Sequence, residues 1–131
     1  MKIIFRDAQH AWNPTQEEIK AWAYSGEKIP EQDWELAVNS LENIPMICSL
    51  IDDEKCNRTL FFLGSLYVFT GDLVRSGVAE EIGRLSELLN IVKMKAKSEK
   101  LNDWIKRSKY LIQHPNTYDY DYWGLGSKYV Y

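Results

Sequence analysis

Along most of the chain, apolar residues return every three or four positions, the period of a helix with one buried face. Ile19, Trp22 and Ala23 stand at i, i+3 and i+4, and Trp34, Ala37, Val38 and Leu41 at i, i+3, i+4 and i+7. Further on, Val78, Ile82, Leu85, Leu89, Val92 and Ala96 alternate spacings of four and three, and a second set follows in Leu101, Trp104, Ile105, Ser108, Leu111 and Ile112. One stretch breaks this rhythm. Residues 60–69, Leu-Phe-Phe-Leu-Gly-Ser-Leu-Tyr-Val-Phe, carry no charge and almost no polar group, so the remaining chain must enclose them. The run is too short to cross a bilayer, which takes about 20 residues. Period alone does not separate a buried helix from a buried strand here, but the flanks do. Asp52, Asp53 and Glu54 ahead of it suit the positive end of a helix dipole, and Thr70-Gly71 behind it suit a stop, which predicts a central helix over residues 53–70.

The other boundaries follow from capping chemistry. Asn13 or Thr15 can cap a first helix, with Pro14 at its first position and Gln16 or Glu18 closing a capping box, and Ser25-Gly26 ends it. Pro30 opens a second helix with Glu31, Gln32, Glu35 and Asn39 on its polar side. Asn43 and Pro45 end it and start a short third helix, in which Met46, Ile47, Leu50 and Ile51 turn inward. The coiled-coil-like seam from Val78 loses register near Lys97-Ser98, where Ser98 can cap, so two antiparallel helices are expected there. His114-Pro115-Asn116 ends the last helix, and residues 117–126 follow no helical rule. Residues 1–7 read as a short edge strand or an extended arm, open to pairing with residues 128–131. The expected fold is all-α in a single domain over residues 1–131. It is a compact multi-helix bundle or irregular α-solenoid around the central helix, with a non-helical C-terminal strap.

Size and charge narrow the function. A chain of 131 residues with net charge −3 buries a full core without staples, and neither membrane residence nor indiscriminate polyanion binding is expected. The N-terminus turns polar after Phe5 and lacks the apolar region of a secretory signal, so a cytoplasmic location is expected. Cys48 and Cys56 form no CxxC pair and read as core thiols. Acid-base or nucleophilic work needs His, Cys or paired carboxylates brought together, yet His10 and His114 lie at opposite ends of the chain. Asp7, three before His10, lacks the second unit that a di-iron site requires. Glu17-Glu18, Asp52-Asp53-Glu54 and Glu80-Glu81 fall in the first turns of expected helices, where the dipole accounts for them. No catalytic residue, metal ligand or cofactor follows from the sequence, and the expectation is a protein that is not an enzyme.

Two features remain. Lys93, Lys95, Lys97, Lys100, Lys106, Arg107 and Lys109, against Glu99 and Asp103, concentrate positive charge in one stretch of an acidic chain. Such a stripe either tracks phosphates or is a solvated helix face, and Gly64, Gly71, Gly77 and Gly83 form no phosphate-cradling loop beside it. The second feature is the tail, where Tyr118, Tyr120 and Tyr122 alternate with Asp119 and Asp121 ahead of Trp123. Aromatic rings offer large contact area at low entropy cost, and carboxylates between them direct that area toward a basic partner. The alternative is that the tail packs back on its own bundle, over Trp12 or Trp22.

With its Trp-bearing helices (Glu17-Glu18-Ile19-Lys20-Ala21-Trp22 and Gln32-Asp33-Trp34-Glu35-Leu36-Ala37), the apolar segment Phe61-Phe62-Leu63-Gly64-Ser65-Leu66-Tyr67 and the acidic tyrosine tail, the chain resembles the helical immunity proteins of bacterial contact-dependent inhibition and related polymorphic toxin systems. The resemblance is one of style over most of the chain. It implies a tight complex with a cognate toxin domain, often a nuclease, whose basic cleft is plugged. Tyr118, Asp119, Tyr120, Asp121, Tyr122 and Trp123 are the candidate partner-binding residues, with the carboxylates standing in for phosphates and with no direct nucleic-acid contact expected. A nucleic-acid-associated or regulatory helical protein using the basic stretch over residues 93–109 is the competing reading.

Overall fold

The computed structural model describes residues 13–30 and 34–125. Among them it contains helices and turns and no strand: α1 (Gln16–Ala23), α2 (Glu35–Val38), α3 (Ile44–Ile51), α4 (Thr59–Ser76), α5 (Ala79–Lys93) and α6 (Glu99–Gln113). Short helical turns lie at Leu41–Asn43, Pro115–Thr117 and Tyr120–Gly124. The fold is all-α, as the periodicity predicts. The expected edge strand at residues 1–7, its pairing with residues 128–131, His10, Trp12 and the Glu31-Gln32 side of the second helix lie outside the described residues.

The apolar stretch forms the hub. α4 packs against α2, α3, α5, α6 and the C-terminal turn, and Phe62, Leu63, Leu66, Tyr67, Leu73 and Val74 are buried along it. Its boundaries differ from the expected 53–70. Asp52, Asp53 and Glu54 sit in the preceding loop rather than in the first turn, and the two aspartates serve as tethers there. The Asp52 carboxylate accepts the backbone N–H groups of Lys97 at 2.9 Å and Ser98 at 2.8 Å, fixing the start of α6. Asp53 accepts from the Tyr24 hydroxyl and from the Lys55 N–H. Nor does Thr70-Gly71 stop the helix. The stop is Gly77, whose φ of +69° is the left-handed conformation that a helix C-terminus needs.

Elsewhere the structure chooses among the capping alternatives. Thr15 caps α1 and shares a reciprocal capping box with Glu18, and this leaves Pro14 outside the helix. The second helix is shorter than its periodicity suggests. The backbone is extended at Asn39 and Ser40, and Leu41 begins a separate turn. Asn39 and Asn43 hold this break, donating side-chain N–H groups to the carbonyls of Ser65 at 2.8 Å and Val38 at 2.7 Å. Ser98 caps α6 as expected. The middle of the seam from Val78 faces inward, with Leu85, Leu89 and Val92 buried in this chain's core, while Val78 at its start is exposed and Ile82 and Ala96 are half-buried. A polar contact fastens α6 to α4: Trp104 Nε1 donates to Thr70 Oγ1 at 3.1 Å, with Ser108 Oγ 3.5 Å from the same oxygen. Both cysteines are free and buried.

Candidate partner-binding surface

Beyond Gln113 the chain turns at Pro115–Thr117 and then winds through a wide turn at Tyr120–Gly124 against α4. Asp119 caps this turn, its Oδ1 accepting the Asp121 N–H at 3.0 Å while its carbonyl accepts from Trp123 at 2.8 Å. The tail is therefore wound into short helical turns where a non-helical strap was expected, because an Asx cap and aromatic anchoring supply the order that helix propensity does not. It covers α4, not Trp22.

The six candidate residues divide by direction. Trp123 is buried at 5% exposure, its ring 5.2 Å from that of Tyr67. Tyr122 and Tyr118 are half-buried, Tyr122 edge-on to Tyr67 at 5.4 Å and Tyr118 against Gly71. Gly71 is required by this packing: a Cβ there would stand 2.9 Å from Trp123 Cβ and from the Tyr118 ring. Arg75 lies over the Tyr118 ring at 4.9 Å and Arg107 over that of Tyr122 at 5.3 Å. Burial, with the hydrogen bond from Tyr122, pushes the Tyr67 hydroxyl well above the usual phenol range. Tyr120 alone among these rings is exposed, at 58%, and it stands between the exposed Asp119 and Asp121 with Leu125 beyond.

The basic stretch does not form one face. Lys93 closes α5, Lys95 and Lys97 lie in the connecting turn, Lys100 is in the first turn of α6, and Lys106, Arg107 and Lys109 are in its second half. Those last three line a cleft of about 720 Å³ between α6 and the C-terminal turn, together with Tyr110, Tyr122 and Trp123. The two features that sequence reading kept apart thus meet in one place.

Sequence reading also missed an acidic face. On the first two helices Glu17 is exposed and Glu35 half-buried, while Glu18 is buried in its capping box. Glu42, Asp72, Glu81 and Glu87 instead line two shallow furrows that share Leu41, over Phe69, Leu88 and the exposed Ile91. These carboxylates are too scattered in sequence for any local signal. Among the described residues no group of three His, Cys, Asp or Glu side chains is placed to hold a metal ion, and no helix is long and apolar enough to cross a membrane. Comparison with protein-family models, curated proteins and solved structures finds no match for this chain.

Proposed function

We propose that this chain is a non-enzymatic protein-binding module, an immunity protein that neutralises a cognate toxin domain, such as a nuclease, by occluding a basic active-site cleft. The observation that carries the reading is the outward edge Asp119-Tyr120-Asp121, held on a turn whose neighbouring rings are anchored inward. An exposed tyrosine between two carboxylates is suited to a positive cleft: the ring supplies contact area and the acids supply complementary charge. Because Trp123 and Tyr122 already fix the turn, binding would not have to order it, and this preorganisation raises affinity. The scattered acids around Leu41, four carboxylates against Arg84, add a second, apolar-floored surface.

The test is binding and inhibition against the toxin-like product of the neighbouring reading frame. Tyr120→Ala and Asp121→Lys should each weaken the complex by about 2 kcal/mol or more with helicity unchanged. Asp121 is the cleaner acid to change, because Asp119 also caps the turn. Wild-type binding by the double variant would remove this edge from the interface. Affinity that collapses with modest salt and follows nucleic acid rather than protein would favour the phosphate-binding reading of the basic stretch.

A further inference from the structure

The cleft between α6 and the C-terminal turn presents groups on α6 that toxin occlusion does not use, facing Asp119, Tyr122 and Trp123 of the turn. Asp103, Lys106, Tyr110 and Gln113 recur at i, i+3, i+7 and i+10 and share one side of α6, with Lys109 beside them. Tyr110 lines the cleft and is 56% exposed, and the His114 ring, tilted by 39° with its centroid 4.5 Å away, backs it. Lys106, Arg107 and Lys109 make no ion pair among the described residues, although Asp103 and Asp119 are in the same lining. Trp123 and Tyr122 line the cleft on the side of the turn.

From these groups the geometry points to a nucleotide site: a nucleoside monophosphate, its base stacked on Tyr110 and its phosphate held by Lys106 and Lys109. The exposed face of Tyr110 beside cations that make no ion pair among the described residues matches a ligand with a planar ring at one end and a dianion at the other. The Asp119 carboxylate on the opposite wall suits ribose hydroxyls or an exocyclic amine, which donate hydrogen bonds. It would repel a second phosphate, so the lining favours a mononucleotide over a long strand. A cleft of about 720 Å³ is of the size that small-molecule ligands occupy. An acidic peptide would satisfy the lysines but would leave the exposed Tyr110 ring without a stacking partner.

Calorimetric titration of the full chain with AMP, GMP and UMP tests this, with adenosine, inorganic phosphate and a hexaglutamate peptide as comparisons. At least one nucleotide should bind one-to-one with a dissociation constant below roughly 1 mM, and adenosine or phosphate alone should bind at least about tenfold more weakly. Lys106→Glu with Lys109→Glu should weaken binding by about tenfold or more, because both changes reverse charge at the phosphate end. Tyr110→Ala should weaken it about tenfold, with Tyr110→Phe restoring it, as stacking requires. All three side chains reach the surface, and circular dichroism checks that the fold is kept. Absence of saturable binding by any of the three nucleotides overturns the proposal. So does binding indifferent to the lysine reversals, or hexaglutamate binding as tightly as the best nucleotide.

Discussion

Two aromatic clusters grip the hub helix, and they are built to different ends. Near its start, Trp22 packs edge to face with Trp34, Phe61 and Phe62, while Trp34 stacks on Phe61; Trp22 and Trp34 have centroids 4.7 Å apart and are both fully buried. The polar edge of Trp22 is satisfied from within: Nε1 donates to the Lys28 carbonyl at 3.0 Å, and Arg58 covers its ring at 4.0 Å. Further along α4, Tyr67, Tyr118, Tyr122 and Trp123 form a cluster that grades from buried to half-exposed, closed by a turn instead of a helix. Its Tyr118 hydroxyl is buried with no hydrogen-bond partner among the described residues. The first cluster is closed and structural. The second lies on the border between core and surface, which lets a few inward rings hold an outward edge in place.

The contrast predicts different responses to the same kind of damage. Trp34→Ala should cost about 4 kcal/mol of global stability, seen as an earlier two-state denaturant midpoint by circular dichroism. Trp123→Ala should cost about 3 kcal/mol, largely by releasing the turn, with rapid proteolysis beyond Gln113 while the helices stay folded. If the helices melted together with the turn, the two clusters would be one cooperative unit. Gly71→Ala is subtler. Its gain in helix propensity opposes a clash with Trp123 and Tyr118, for a net loss of about 1 kcal/mol and a shift in tryptophan emission. The same change without any shift would mean the rings are not seated on α4.

Alkaline pH should also separate the clusters. The folded protein holds the Tyr67 proton more tightly than the unfolded chain, whose phenol titrates near 10.0. The unfolded state therefore loses its proton first, and stability is intact below that pH and falls as pH rises above it. The effect should be smaller than that of the ring deletions and should shrink in Tyr67→Phe, leaving the part that comes from the Cys48 thiol, which burial also pushes up, and from Tyr24, which donates to Asp53. The first cluster's rings carry no titratable hydroxyl and should be silent.

Much of this was legible in the amino acids. The inward set of α6, from Leu101 through Trp104, Ile105, Ser108 and Leu111, and its Ser98 cap follow directly from spacing, because a helix buries what its period repeats. The ends of α4 were not legible. A glycine inside a helix and a glycine that ends one look alike until the partner above it is known, and Gly71 is needed by residues some fifty positions later. Asp52 misleads in the same way: its carboxylate serves the start of α6 some 45 positions later, not the nearby helix. For the candidate site, the alternation of rings and acids was visible, but not which rings turn inward, since that depends on Tyr67 and Gly71. The cleft beside Tyr110 had no sequence signal beyond its lysines.

The central claim is that the C-terminal turn is part of the folded body and presents a fixed edge. Amide hydrogen exchange at Trp123, whose N–H donates to the Asp119 carbonyl at 2.8 Å, tests it most directly. Slow exchange is expected at Trp123, sped up about fivefold by Gly71→Ala and lost at the same position in Trp123→Ala, beside fast exchange at the exposed residues around Asn116. Exchange at Trp123 as fast as in an unstructured peptide would contradict it.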